Sequence, residues 1–242
     1  MKYLIGNLKM NFSPDEAKNY SQELSNEVQN ANLKNVTVGA AFGHDSMYLK
    51  SLQNYSFIFG TQNFYPKSKG AFTGEISIRS LENFNLDFCL VGHSERRILF
   101  NETEALINKQ ILCLEKSKIM PILCIGENKE EFENNKTKSK LKRQIKNALA
   151  DFEWSKDLII SYEPIYAIGN GLVPENSHIE SCIKYIKKIT ENKCPVLYGG
   201  SVSLNNIEKL LEIKSLDGFL VGGAALNAKD FVKMAKIMEK NS

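Results

Sequence analysis

The residues best placed to do chemistry lie where short apolar runs break off. Leu158-Ile-Ile-Ser161-Tyr-Glu163-Pro164 is apolar and β-branched until a carboxylate ends it, the pattern of a buried strand with an acid at its carboxyl end. Such a glutamate is either a helix-start or surface residue, or a base aimed into a cleft. Pro164 lacks an N–H, so the ladder stops there. Ile165-Tyr166-Ala167-Ile168 places apolar side chains in an expected surface loop, and Gly169-Asn170-Gly171 follows as a pliant tip. A carboxylate, a stiff hinge, an apolar flap and a glycine tip fit a lid over a general base. An ordinary strand-to-helix loop is the alternative.

Similar breaks occur elsewhere. The first apolar run ends in Asn7-Leu-Lys9-Met-Asn11. A lysine there is a solvated surface residue, or it holds a phosphate or a developing oxyanion. Another run leads into Val91-Gly-His93-Ser-Glu95-Arg-Arg97. If Ser94 onward opens a short helix, its positive end disfavours an imidazolium, so His93 is expected to be neutral. Glu95 is a candidate partner that keeps the Lys9 ammonium charged and aimed. Two later runs end in glycine pairs, Tyr198-Gly-Gly-Ser201-Val202 and Val221-Gly222-Gly223-Ala224. Paired glycines let backbone N–H groups approach an anion, and Ser201 adds a hydroxyl. Most glycine pairs are turns; two of them ending the last two runs form a stronger signal.

The elements that must position these residues alternate strictly. Strands are expected near residues 3–6, 36–41, 57–60, 88–91, 120–125, 158–161, 196–198 and 218–221. Helices are expected from Pro14 to about 29, after Asp45, at 79–83, 102–116, 127–152 (charged, and open to a break), 177–191, 204–212 and 228–239. Short apolar runs alternating with helices imply a parallel sheet buried on both faces. Eight such units predict an α/β fold, a single (β/α)8 barrel with eight parallel strands and an outer ring of helices, spanning residues 1–242 as one domain. An open doubly wound sheet is the runner-up, but the first strand lacks a Gly-x-Gly-x-x-Gly turn.

Composition narrows the classes further. A chain of 242 residues buries roughly 70–75% of its unfolded surface and needs no disulfide staples. Lys+Arg 31 against Asp+Glu 28 gives +3, too mild a balance for nucleic acid. The basic stretch from Lys136 to Lys146 reads as a solvated helix face. The five cysteines are dispersed, without a close Cys-x-x-Cys pair, which predicts reduced thiols and a cytoplasmic location. No apolar stretch approaches membrane-spanning length.

In their common order these motifs, with Gly70-Ala-Phe-Thr73-Gly-Glu-Ile76 and Cys124-Ile-Gly-Glu127, resemble the triosephosphate isomerase family over essentially the whole chain. The resemblance implies interconversion of dihydroxyacetone phosphate and glyceraldehyde 3-phosphate, in glycolysis and gluconeogenesis. It implies Glu163 as the base, His93 as the electrophile and proton shuttle, and Lys9 and Asn7 at the enediolate oxygens. Gly169, Ser201, Gly222 and Gly223 would hold the phosphate, with no metal or other cofactor. This enzyme is the standard example of a glutamate base, a neutral histidine and a closing loop, so those roles rest on the resemblance.

The resemblance also implies a homodimer through the long loop of residues 64–76 (Phe64 to Ile76), with Thr73 and Gln62 at the interface. Leu8 and Tyr166 stand where the family often has tryptophan, and Pro174 is expected to stiffen the far side of the lid. One rival reading is a metal-dependent sugar-phosphate epimerase. It would need clustered His and Asp ligands, whereas His44 and His178 fall on separate helix starts. The other rival is a non-enzymatic phosphate-binding barrel, which would have little reason to keep Lys9, His93 and Glu163 together.

Overall fold

The computed structural model describes residues 1–169 and 172–241. Eight parallel strands, β1 (Lys2–Asn7), β2 (Val36–Phe42), β3 (Ile58–Thr61), β4 (Phe88–Val91), β5 (Met120–Ile125), β6 (Ile159–Tyr162), β7 (Val196–Tyr198) and β8 (Gly218–Val221), pair in chain order. β8 returns to β1, with Leu4 opposite Phe219, and closes the barrel. Around it lie α1 (Pro14–Ala31), α2 (Ile78–Asn83), α3 (Ser94–Leu99), α4 (Glu104–Glu115), α5 (Lys129–Glu133), α6 (Thr137–Ala148), α7 (Asn176–Ile189), α8 (Ile207–Leu210) and α9 (Ala228–Lys240), with 3-10 turns at His44–Ser51, Ile165–Ala167 and Gly223–Ala225.

Local sequence explains the boundaries. Ser13 caps α1 in a reciprocal box with Glu16, and Pro14 occupies the first turn, where its missing N–H is harmless. The charged helical stretch expected over 127–152 is two helices. Asn135 between them is left-handed at φ 57°, a conformation asparagine tolerates and helices do not. The short helix expected after Asp45 is a 3-10 helix. β6 starts and ends one residue later than its apolar run suggested, so Glu163 follows directly.

The core has two layers. One fills the space between sheet and helices. The other lies inside the barrel and includes Ile5, Leu90, Cys124, Ile159, Leu197 and Leu220. Side chains two residues apart on a strand share a face. The next inward positions toward the carboxyl ends are therefore Asn7, Gly92, Gly126, Ser161, Gly199 and Gly222, with Glu163 one step beyond Ser161. The strand period thus delivers the polar and glycine residues to the barrel mouth, where barrels of this type carry their sites.

Candidate active site

A cavity of about 320 Å³ opens at that mouth. It brings together Asn7 and Lys9 from β1, His93 from β4, Glu163 from β6, and Gly169, Ser201, Gly222 and Gly223 from the last turns. Glu95 lines an adjoining cavity of about 270 Å³ with Lys9, Met10 and Gln62. Asn170 and Gly171, the rest of the expected lid tip, lie outside the described residues.

Lys9 is held in an uncommon conformation. Its φ is 51°, a left-handed geometry that costs a non-glycine residue on the order of 1 kcal/mol. Neighbours fix it there. Its N–H donates to Asn7 Oδ1 at 3.2 Å, and its carbonyl accepts from Gln62 Nε2 at 2.8 Å. Lys9 Nζ meets Glu95 Oε1 at 2.5 Å. Both side chains keep partial solvent contact, so this ion pair adds little stability; it aims the ammonium.

His93 caps α3, and its Nδ1 accepts the Glu95 N–H at 3.3 Å. A ring nitrogen that accepts carries no proton. That contact leaves Nε2 as the ring nitrogen turned toward the cavity. Nε2 lies 3.6 Å from Glu163 Oε2.

Glu163 is 2% exposed. Apart from the Cys124 thiol, neither of its carboxylate oxygens has a hydrogen-bond donor among the described residues. A buried carboxylate with so little compensation is costly and is a mark of function. The Cys124 thiol sits beside it and is raised well above its ordinary pKa by burial and then by the Glu163 charge. Backbone bonds hold the base in place: the Glu163 N–H donates to Ile125 O at 2.7 Å, and the Gly199 N–H donates to Tyr162 O at 2.8 Å.

Two glycines make room for Glu163. A Cβ on Gly199 would stand 2.5 Å from Glu163 Cγ, and one on Gly126 would stand 1.8 Å from the Glu163 carbonyl oxygen. From sequence Gly199 is expected only to let backbone approach an anion, and Gly126 has no expected role although it falls inside a quoted motif. It also missed Arg97, which bonds Gly92 O at 2.6 Å and Cys124 O at 3.1 Å and so ties the end of β4 to the end of β5. Glu127 is another omission. It is fully buried, accepts from Tyr162 Oη at 3.0 Å, and takes the Ile165 N–H on its carbonyl.

The glycine-rich half of the mouth is built from backbone. Ser201 Oγ donates to Ala167 O at 2.8 Å, linking the turn after β7 to the hinge after Glu163. Asn206 bonds Ser201 O and the Ser203 N–H, which fixes that turn. Gly222 and Gly223 open a 3-10 turn after β8, and a Cβ on Gly223 would meet nothing within 4 Å. Open backbone at a helical start suits an anion. The flap expected as plain loop is a 3-10 turn whose Ala167 is fully buried.

The sequence matches the family model described as triosephosphate isomerase over residues 2–238. The chain belongs to the triosephosphate isomerase family. Triosephosphate isomerase of Mycoplasma mobile is 39% identical over 239 residues, covering 97% of this chain and 99% of that one. The Mycoplasmopsis pulmonis enzyme is also 39% identical, covering 96% and 95%. The crystal structure of triosephosphate isomerase from Bartonella henselae superposes with a TM-score of 0.88 over 98% of each chain, at 24% identity, and so shares the fold. Membership carries the chemistry of an isomerase that interconverts triose phosphates. Among the described residues no helix is long and apolar enough to cross a membrane.

Proposed function

We propose that Glu163 is the base of a proton transfer through an enediolate, and that the chain works in glycolysis and gluconeogenesis. The observation that carries the mechanism is the Glu163 carboxylate: buried, with the Cys124 thiol as its one close polar neighbour besides His93, whose Nε2 lies 3.6 Å away. In this reading Glu163 removes a proton from the carbon next to the carbonyl and returns it to the neighbouring carbon. The His93 Nε2–H donates to the carbonyl oxygen as negative charge develops and passes a proton between the two oxygens. Lys9 and Asn7 stabilise the same oxygens, and donors fixed before the reaction cost no reorganisation during it. The phosphate sits on the backbone of Gly169, Gly222 and Gly223 with Ser201. Its binding energy lies remote from the reacting carbons and is available to close the lid.

The test is turnover of glyceraldehyde 3-phosphate, with chelator present, by wild type and Glu163→Gln. Fast wild-type turnover that falls by roughly three orders of magnitude or more in the variant is expected, because general base and positioning effects are both lost. A Glu163→Gln enzyme within tenfold of wild type would remove the base from this residue.

The reading extends to a homodimer. Met10 is 98% exposed and Phe100 62% exposed, and both line the cavity beside Lys9 and Glu95. The 64–76 loop presents Phe72, tilted against Tyr65 with ring centroids 4.6 Å apart, and an exposed Thr73. In this reading the loop of a second copy, with Thr73 leading, enters that cavity. Gln62 already braces the Lys9 carbonyl from within the chain. Phe72→Asp should give a monomer with little activity; an active monomer at dilute concentration would overturn the dimer reading. Free thiols at all five cysteines accord with a cytoplasmic location.

A further inference from the structure

The two ends of the lid are joined by side chains that none of the roles above employs. Behind the hinge, the ring of Phe132 on α5 stacks on Tyr166 at 4.7 Å and meets the edge of His178 at 5.0 Å and 86°. His178 lies in the first turn of α7, the helix to which the lid returns. Its Nε2 is 3.5 Å from Glu127 Oε1 and 3.2 Å from Tyr162 Oη. Glu127 in turn holds the hinge, because its carbonyl accepts the Ile165 N–H at 2.9 Å. Among the described residues, His178 is the one cationic group within ion-pair distance of the Glu127 carboxylate, which is fully buried.

We infer that His178 is a positioning residue for the lid, one that pairs with buried Glu127 and Tyr162 and so fixes the Ile165–Ala167 turn beside Glu163. This rests on the reading that Glu163 is the base and that the turn after it is the lid hinge. The groups facing His178 are Cys182 on its own helix, Glu127, Tyr162 on β6 and Tyr166 in the hinge. Lys138 on α6 lines the same small cavity. Hydrogen bonds to the Cys182 thiol and then to Glu127 raise the His178 pKa to about 9, against the lowering effect of burial. The sign follows. A histidine whose folded pKa exceeds its ordinary value keeps the charged pair fully below that ordinary value, near 6.5, and loses it as pH rises through about 9.

The test compares wild type, His178→Gln, Glu127→Gln and the double variant between pH 7 and 10. At pH 7.5, kcat should fall between roughly tenfold and a hundredfold in each single variant, as expected when a reacting group is displaced from afar. KM should change less. The double variant, with no unpaired buried charge, should recover most of the loss. Wild-type kcat/KM should decline with an inflection near pH 9 that both single variants lack. If a single variant does not fold, the wild type decides by NMR: the Ile165 amide shift should follow the His178 titration. A His178→Gln profile that overlays wild type, or an Ile165 amide blind to that titration, overturns the inference. Loss of the Glu163 dependence would instead overturn the mechanism beneath it, and the Glu163→Gln enzyme reads that separately.

Discussion

The mouth of the barrel has two halves made of different material. From β1, β4 and β6 come side chains: Lys9, His93 and Glu163, each aimed by specific neighbours. From β7 and β8 comes backbone: Gly199 to Ser201 and Gly222 to Gly223, with side chains mostly absent. In the proposed mechanism the first half faces atoms whose charge changes during the reaction, which calls for groups of tuned protonation and direction. In the same reading the second half faces a charge that stays constant. Several N–H dipoles at a turn suffice for that, and any Cβ would take up the ligand's space. Substitutions in the first half should therefore act on kcat, and those in the second on KM.

The largest effect should come from Glu163→Gln, which keeps the shape and removes the proposed base. A KM near wild type beside the collapsed kcat would place the residue wholly in the reacting half. Gly199→Ala probes the seam. By position it belongs to the backbone half, but its new Cβ would stand 2.5 Å from Glu163 Cγ and 2.7 Å from Ser161 Oγ. The base must move, and a displacement near 1 Å costs about a hundredfold. kcat should fall by about that factor with KM little changed, and thermal unfolding should show a loss of about 1–3 kcal/mol from overpacking. If KM rose while kcat held, the halves would be divided in the wrong place.

How much of this was legible depends on the kind of contact. Strand order and barrel closure followed from alternating apolar runs, and the ends of β4, β5, β7 and β8 coincide with those runs. Burial on both faces leaves such segments little freedom. Residues at strand ends could be placed at the barrel mouth for the same reason, and the Lys9–Glu95 pair, 86 residues apart in sequence, followed from setting two such ends side by side. Gly126, Gly199, Arg97 and His178 were not read for their roles. Each acts through a partner 27 to 51 residues away in sequence: Gly126 against Glu163 (37), Gly199 against Glu163 (36), Arg97 against Cys124 (27), His178 against Glu127 (51). Periodicity carries no information about such pairs; the pairing of neighbouring strands, β4 with β5, β5 with β6 and β6 with β7, brings them together. The break at Asn135 left a local mark, an asparagine pair, but its neighbours are good helix formers.

The smallest effect should test the backbone half by itself. Gly223→Ala adds one methyl where nothing stands within 4 Å, so the fold has no reason to change and unfolding should stay at the wild-type temperature. The methyl enters the space assigned to the phosphate, next to the N–H groups that open the Gly223–Ala225 turn. An anion pushed away from those donors loses charge-assisted hydrogen bonds, each among the stronger contacts a small ligand makes. A loss of about 1.4 kcal/mol corresponds to a tenfold rise in KM, and inorganic phosphate as a competitive inhibitor should weaken by a similar factor. kcat should remain within about threefold of wild type, because Glu163, His93 and Lys9 keep their places and the bound substrate meets the same groups. A large fall in kcat with unchanged phosphate affinity would show instead that this turn positions the reacting carbons, and the division into a reacting half and a gripping half would fail.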